Sequence, residues 1–361
     1  MVLFLALCLL LSFSLTGCGK NSEQTGGQPE PTEVTITDMA GRQVTIPSKI
    51  DSVYSSSPVG SLIMYTVNDE KMIGINYDLY AEEKLFTTEY YQKLPNLGGW
   101  YGQGKTGNIE EILKRNPDII LSSGTSQNYI DSANALQEQL GIPVVMVNDS
   151  FDKLADTYRF LGGILDEEKR CEKLAAYCED TVKEAKEIAA KIPAEKKVRV
   201  YYAEEKAGLN TDPAGSAHAQ LIDIAGGINV ADVKMTSGYG RVEVSLEQVI
   251  AWNPDLIISC IDNGYADSGS YDKILSNPAW STIKAVKDKE IYETPTIPFN
   301  WFDRPPSVNT VIGLKWCQNL LYPEYAKYDI RKEAKEFYSL FYHYDLTDKD
   351  LDKILAKSVR K

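Results

Sequence analysis

Two histidines in 361 residues, His218 and His343, are too few and too far apart to build the imidazole and carboxylate cluster that holds a bare Zn2+ or Mn2+. A basic cluster is missing as well. With 51 acidic against 38 basic side chains, the net charge of −13 repels phosphate backbones and excludes nucleic acid as the expected partner. There is no Gly-x-Ser-x-Gly elbow, no His-Glu-x-x-His and no histidine beside a plausible nucleophile, so a surface hydrolase is a weak rival. Nor do the six cysteines form a disulfide framework. Cys171 and Cys178 lie about 10 Å apart along a helical stretch, too far to bond, and Cys260 and Cys317 stand singly in apolar contexts as core thiols.

Residues 1–17 contain no Lys, Arg, Asp or Glu and end in Leu15-Thr16-Gly17-Cys18. This apolar run is shorter than the ~20 residues that span a bilayer, and small residues precede the cysteine as at a processing site. The end resembles a bacterial lipoprotein signal. That resemblance implies that Cys8 is lost with the signal and that Cys18 carries the lipid anchor. A signal normally opens with Lys or Arg, and their absence ahead of the run points to a start further upstream. Residues 19–33, rich in Gly, Gln, Glu, Pro and Asn, cannot bury apolar surface and read as a flexible tether.

What the chain does have is one pattern written twice. Asn108-Ile-Glu110-Glu-Ile-Leu-Lys-Arg-Asn116-Pro117-Asp118-Ile-Ile-Leu-Ser122 is echoed 137 residues later by Ser245-Leu-Glu247-Gln-Val-Ile-Ala-Trp-Asn253-Pro254-Asp255-Leu-Ile-Ile-Ser259. Each copy opens on a helix-capping side chain, continues with helical apolar spacing and stops at Asn-Pro. A buried strand follows. Around both copies strands alternate with helices, which predicts mostly parallel sheets in two similar α/β lobes. Between them, residues 167–191 hold no Gly or Pro and are dense in Glu, Lys, Ala and Leu, the signature of one long connecting helix ended by Pro193. The expected division is a signal at 1–18, a tether at 19–33, an N-terminal lobe at 34–166, a connecting helix at 167–192 and a C-terminal lobe at 193–361.

With its lipobox, paired lobes and helical bridge, the chain resembles the class III substrate-binding proteins of ABC importers, the group that includes cobalamin-, ferric-siderophore- and haem-binding proteins. Thr37-Asp38-Met39-Ala40-Gly41-Arg42-Gln43-Val44 also resembles that family's usual start. The resemblance covers residues 34–345. It implies two Rossmann-like lobes, a ligand cleft between them, no enzymatic activity and no cofactor. It further implies an extracytoplasmic, lipid-anchored monomer that works with an ABC permease and its ATPase subunits. The family docks one glutamate per lobe on the permease, and the matching positions are Glu110 and Glu247, with Glu111 an adjacent competitor.

Ligand contacts in such folds come from loops at the C-terminal ends of strands. On the first lobe these are Pro58 and Val59 at a strand-to-helix turn, and Trp100 and Tyr101 in the Gly-rich segment 98–102. Trp100 resembles the cobalamin binder's cleft tryptophan, which favours ligand contact over a half-buried packing role. On the second lobe they are His218, Tyr239 and Arg241, and then Trp301, Phe302 and Arg304 in segment 298–306. Aromatic rings with an arginine suit a flat anionic chelate, whereas Asp303-Arg304 could instead be a structural ion pair. His218 could make an axial contact to haem iron, bond a ligand, or merely sit as a polar capping residue. The first expectation for cargo is a ferric siderophore, a pre-formed metal chelate. Corrinoid, haem and an oxyanion such as molybdate or tungstate are the alternatives.

Overall fold

The computed structural model describes residues 31–102, 104–235, 240–260 and 269–360. Strands β1 (Glu33–Thr37) and β2 (Gln43–Pro47) pair antiparallel around a turn in which the Asp38 carboxylate accepts the Ala40 and Arg42 N–H groups at 3.1 and 2.9 Å. The first lobe is a parallel sheet in the order β3 (Val53–Ser55), β4 (Ile119–Ser123), β5 (Val144–Val147). All its residues are buried, as uninterrupted apolar runs require. Beside it, residues 72–75 make only single bridges, Val53 with Met72 and Ile75 with Asn96.

A second, separate parallel sheet contains β6 (Arg199–Ala203), β8 (Ile228–Asn229), β10 (Leu256–Ser259) and β11 (Ile291–Glu293), in the order β11-β10-β6-β8. Two short strands, β7 (Asn210–Thr211) and β9 (Val242–Glu243), pair antiparallel beside it. The connecting helix runs over Glu168–Ala189, about 33 Å at 1.5 Å per residue. Its apolar side, including Cys171, Leu174, Ala175 and Cys178, is buried, and burial pushes the Cys171 thiol up to about 12. The four described cysteines are buried thiols that serve as packing groups.

The sequence repeat is also a structural repeat. Asn108 caps the helix Ile109–Arg115 by accepting Glu111 N–H at 3.2 Å, and Ser245 caps Leu246–Trp252 by accepting Gln248 N–H at the same distance. Both helices end on an asparagine in left-handed conformation, Asn116 at φ 46° and Asn253 at φ 44°, a geometry asparagine tolerates better than most residues. The aspartate after each Asn-Pro then aligns the neighbouring strand. Asp118 accepts Ser52 N–H at 2.8 Å and Asp255 accepts Arg199 N–H at 3.0 Å, while their own N–H groups donate back to Ser52 and Arg199 carbonyls.

The C-terminal helix Ile330–Phe341, expected within the second lobe, packs against the first as well. Phe341 meets Tyr158 edge-on at 6.2 Å, and the Tyr65 hydroxyl donates to the Tyr342 carbonyl at 2.7 Å. From the connecting helix, Arg170 donates to the carbonyls of Thr66 and Val67 at one helix end and of Leu340 at another. One apolar core therefore runs through both lobes behind the cleft.

Candidate ligand-binding cleft

Three carboxylates at the second-lobe mouth have side chains that solvent does not reach: Glu204 directly after β6, Asp212 directly after β7, and Asp303 in segment 298–306. Such groups are costly to bury unless paired, and two arginines meet them. Arg304 lies 2.6 Å from Asp212, 3.2 Å from Glu204 and 3.1 Å from Asp303, and Arg241 lies 2.8 Å from Glu204. The Arg304 and Arg241 side chains keep 24% and 25% exposure, so each is held by buried carboxylate and still partly reached by solvent. Burial pulls the Arg304 pKa down, but Asp303, Glu204 and Asp212 together outweigh it and raise it above the ordinary value. Burial first, then Asp212, pushes Glu204 up to about 8, and burial also raises Asp212.

His218 joins this cluster through Nδ1, 2.6 Å from Asp303 Oδ1. Asp212, His218 and Asp303 each bring one donor atom within 4.8 Å of the others. The Arg304 guanidinium already pairs with both carboxylates, which makes the group a socket for that side chain rather than for a metal ion. Gly240, at φ +89°, allows the close approach: a Cβ there would fall 2.0 Å from Asp212 Oδ1.

The first-lobe candidates lie at strand ends of their own sheet. Ser57 precedes the helix Pro58–Asn68, its hydroxyl 2.9 Å from that of Ser123 at the end of β4. Pro58 occupies the first helical turn, where its missing N–H costs nothing. The Val59 carbonyl accepts the Ser307 hydroxyl at 3.1 Å, a direct link between segments of the two lobes. Asp149, beyond β5, is raised by burial while Ser123 hydrogen-bonds it. Tyr101 donates its hydroxyl to Asn76 O at 3.0 Å and lines a recess of about 430 Å³ with Asn76, Tyr77, Tyr80, Gly99 and Lys105.

The structure therefore groups His218, Arg241 and Arg304, and sets Pro58, Val59 and Tyr101 at the first-lobe loops. Trp100 is half-buried and packs on its own lobe, its ring so close over Gly107 that a Cβ there would lie 2.5 Å away. Tyr239 lies outside the described residues, as does Cys18. Two expectations are corrected. Trp301 and Phe302 do not line the cleft: both are buried, Trp301 donating its indole N–H to Tyr338 at 3.1 Å, and Phe302 packing 4.6 Å from Tyr202 and 6.3 Å from Trp316. Segment 298–306 turns its rings under the second sheet, where more apolar area is removed from water than at an open mouth. Gly313 permits this, since a Cβ there would fall 1.7 Å from the Trp301 carbonyl oxygen. Glu204 and Asp212 were missed, although both sit at strand C-terminal ends, where this topology puts its binding groups.

Glu110 and Glu247 are exposed on the two repeat helices. Glu111 is drawn to cations of its own helix, Lys114 at 3.2 Å and Arg115 at 4.0 Å, which separates its role from that of Glu110.

Residues 75–298 match the family model described as periplasmic binding protein. The chain belongs to that family. An ABC transporter solute binding protein from Sulfurospirillum deleyianum is 32% identical, with a TM-score of 0.81 over 89% of this chain and 99% of that one. The molybdate-binding protein MolA of Haemophilus influenzae is 27% identical over 341 residues, 85% of this chain and 90% of its own. The iron-uptake system-binding protein of Bacillus subtilis is 23% identical over 305 residues, 79% and 88% of the two chains. This is thus a class III periplasmic binding protein, an extracytoplasmic solute-binding component of an ABC transporter and not an enzyme. Its relatives are solute-binding proteins of ABC transporters.

Proposed function

We propose that the chain captures a tetrahedral oxyanion of the molybdate or tungstate kind in the cleft and delivers it to the permease of an ABC importer. The observation that supports this reading is the pair of arginines, Arg241 and Arg304, brought together on buried carboxylates at the second-lobe mouth. Guanidinium forks match oxyanion oxygens in charge and geometry, and pre-anchoring removes much of the side-chain entropy lost on binding. Kinship with the molybdate-binding protein supports the same choice. His218 lies beside this pair through Asp303, and Ser57, Tyr101 and loop N–H groups of the first lobe supply hydrogen bonds in this reading. Cys18 is the lipid anchor in this reading, and Glu110 and Glu247 are the permease contacts.

A ferric siderophore is the second reading. Kinship with the iron-uptake protein and the tyrosine-lined recess at Tyr77, Tyr80 and Tyr101 favour it. Burial of Trp301 and Phe302 takes away the aromatic platform on which a large chelate would have rested. Isothermal titration of the purified protein with molybdate, tungstate, phosphate, a ferric catecholate and a ferric hydroxamate separates the two. Tight binding of molybdate or tungstate alone supports the oxyanion reading, and tight binding of a ferric chelate alone replaces it.

A further inference from the structure

The two repeat helices share a feature that the glutamates do not explain. Leu113 and Ile250 occupy equivalent places in the repeat and are 44% and 38% exposed, although short amphipathic helices normally turn such side chains inward. The inner face is already served by Ile112 and Val249, both fully buried. Each exposed aliphatic lies three residues after the exposed glutamate of its helix, Glu110 or Glu247, so acid and apolar side chains adjoin on one face. No ion pair holds Glu110 or Glu247 among the described residues. Hydrogen bonds from its own N–H and from Ser245 hold the Glu247 carboxyl below its ordinary range, so it is ionised at neutral pH.

We propose that Leu113 and Ile250 are the apolar halves of two equivalent docking patches for the ABC permease, each entering an apolar pocket beside the cation that meets the neighbouring glutamate. This rests on the reading of Glu110 and Glu247 as permease contacts. Charge supplies selectivity and on-rate, whereas the affinity of a small interface comes mainly from desolvated apolar anchors ringed by polar groups. A carboxylate beside an aliphatic knob supplies both components at each site. Because the patches arise from an internal repeat, the permease must present the complementary pair twice.

The test compares receptor binding to the permease–ATPase complex in lipid vesicles for wild type, the double variant Leu113→Ser with Ile250→Ser, and the double variant Glu110→Arg with Glu247→Arg. Serine is chosen because lysine at position 113 or 250 would pair with its own helix's glutamate. The serine variant should keep its melting temperature and its molybdate titration but bind the vesicles at least about tenfold more weakly, a loss typical of removing interface anchors. Wild-type binding by the serine variant alongside a weakened arginine variant overturns the apolar inference and leaves the glutamate reading standing. Wild-type binding by both overturns the docking face altogether.

Discussion

Arg304 Nη2 lies 2.6 Å from Asp212 Oδ2, so a cation in the cleft wall is fixed by a carboxylate that solvent does not reach. The same guanidinium also touches Glu204 and Asp303, and its removal would leave buried charge without a partner. Arg304→Ala should therefore lower unfolding free energy by about 3–5 kcal/mol and abolish molybdate binding together. Arg241 pairs with Glu204 and the exposed Glu205. Arg241→Ala should weaken molybdate binding at least about tenfold, as loss of a charge-assisted contact does. Its melting temperature should fall less than that of Arg304→Ala. Calorimetry and thermal melts on both variants check the pair, and equal damage to stability would contradict the different anchoring.

Glu204 makes the cleft respond to pH. Burial, then Asp212, pushes its carboxyl up to about 8, so it is largely protonated near neutral pH. As pH rises through 8 the Glu204 carboxylate charge appears beside Arg241 and Arg304, and an incoming oxyanion meets repulsion. Molybdate affinity should fall between pH 7 and 9, and Glu204→Gln should flatten that profile. The stability sign follows from the same shift. The folded chain holds a proton that the unfolded chain releases near the ordinary value of 4.5, so stability falls as pH rises from there through about 8. Denaturant titrations at several pH values should show this slope in the wild type and a shallower one in Glu204→Gln.

The repeat was legible because its chemistry is local. Asn116 and Asn253 stop their helices and Asp118 and Asp255 align their strands through groups a few bonds away, so residue type and order suffice to reveal two lobes. Trp301 was not legible. A ring in a proline-flanked loop can point to solvent or inward, and the choice depends on Gly313 and Tyr338, which lie elsewhere in the sequence. Glu204 and Asp212 were hidden for a related reason. A carboxylate after a strand is common, and only the three-dimensional approach of Arg304 makes these two a socket.

The inward course of Trp301 is open to a direct check. Trp301→Phe removes the hydrogen bond to Tyr338 and part of the ring, and should destabilise the protein by about 1–3 kcal/mol. Its molybdate titration should match the wild type. A large loss of affinity with unchanged stability would return Trp301 to the cleft.

Arg170 tests how the lobes are held at the back. Its guanidinium donates to Thr66 and Val67 at the end of the helix Pro58–Asn68 and to Leu340 near the end of Ile330–Phe341, where carbonyls otherwise lack helical partners. Burial lowers the Arg170 pKa, so its charge is maintained against a desolvation cost by several acceptors at once. His343 sits 3.3 Å away and is itself lowered by burial and by this guanidinium, which leaves the cation no nearby positive partner at neutral pH. Arg170→Ala should cost about 2–4 kcal/mol, because several buried carbonyls lose a charged donor. Arg170→Lys should recover only part, since an ammonium cannot span the same acceptors as a planar fork. The clamp lies behind the cleft and touches none of its residues, so the molybdate affinity of the folded variant should be unchanged. Hydrogen exchange should show faster opening at the ends of both helices and no change at β6 or β10. Uniform acceleration through both sheets would show instead that Arg170 supports the whole fold rather than the junction of the two lobes.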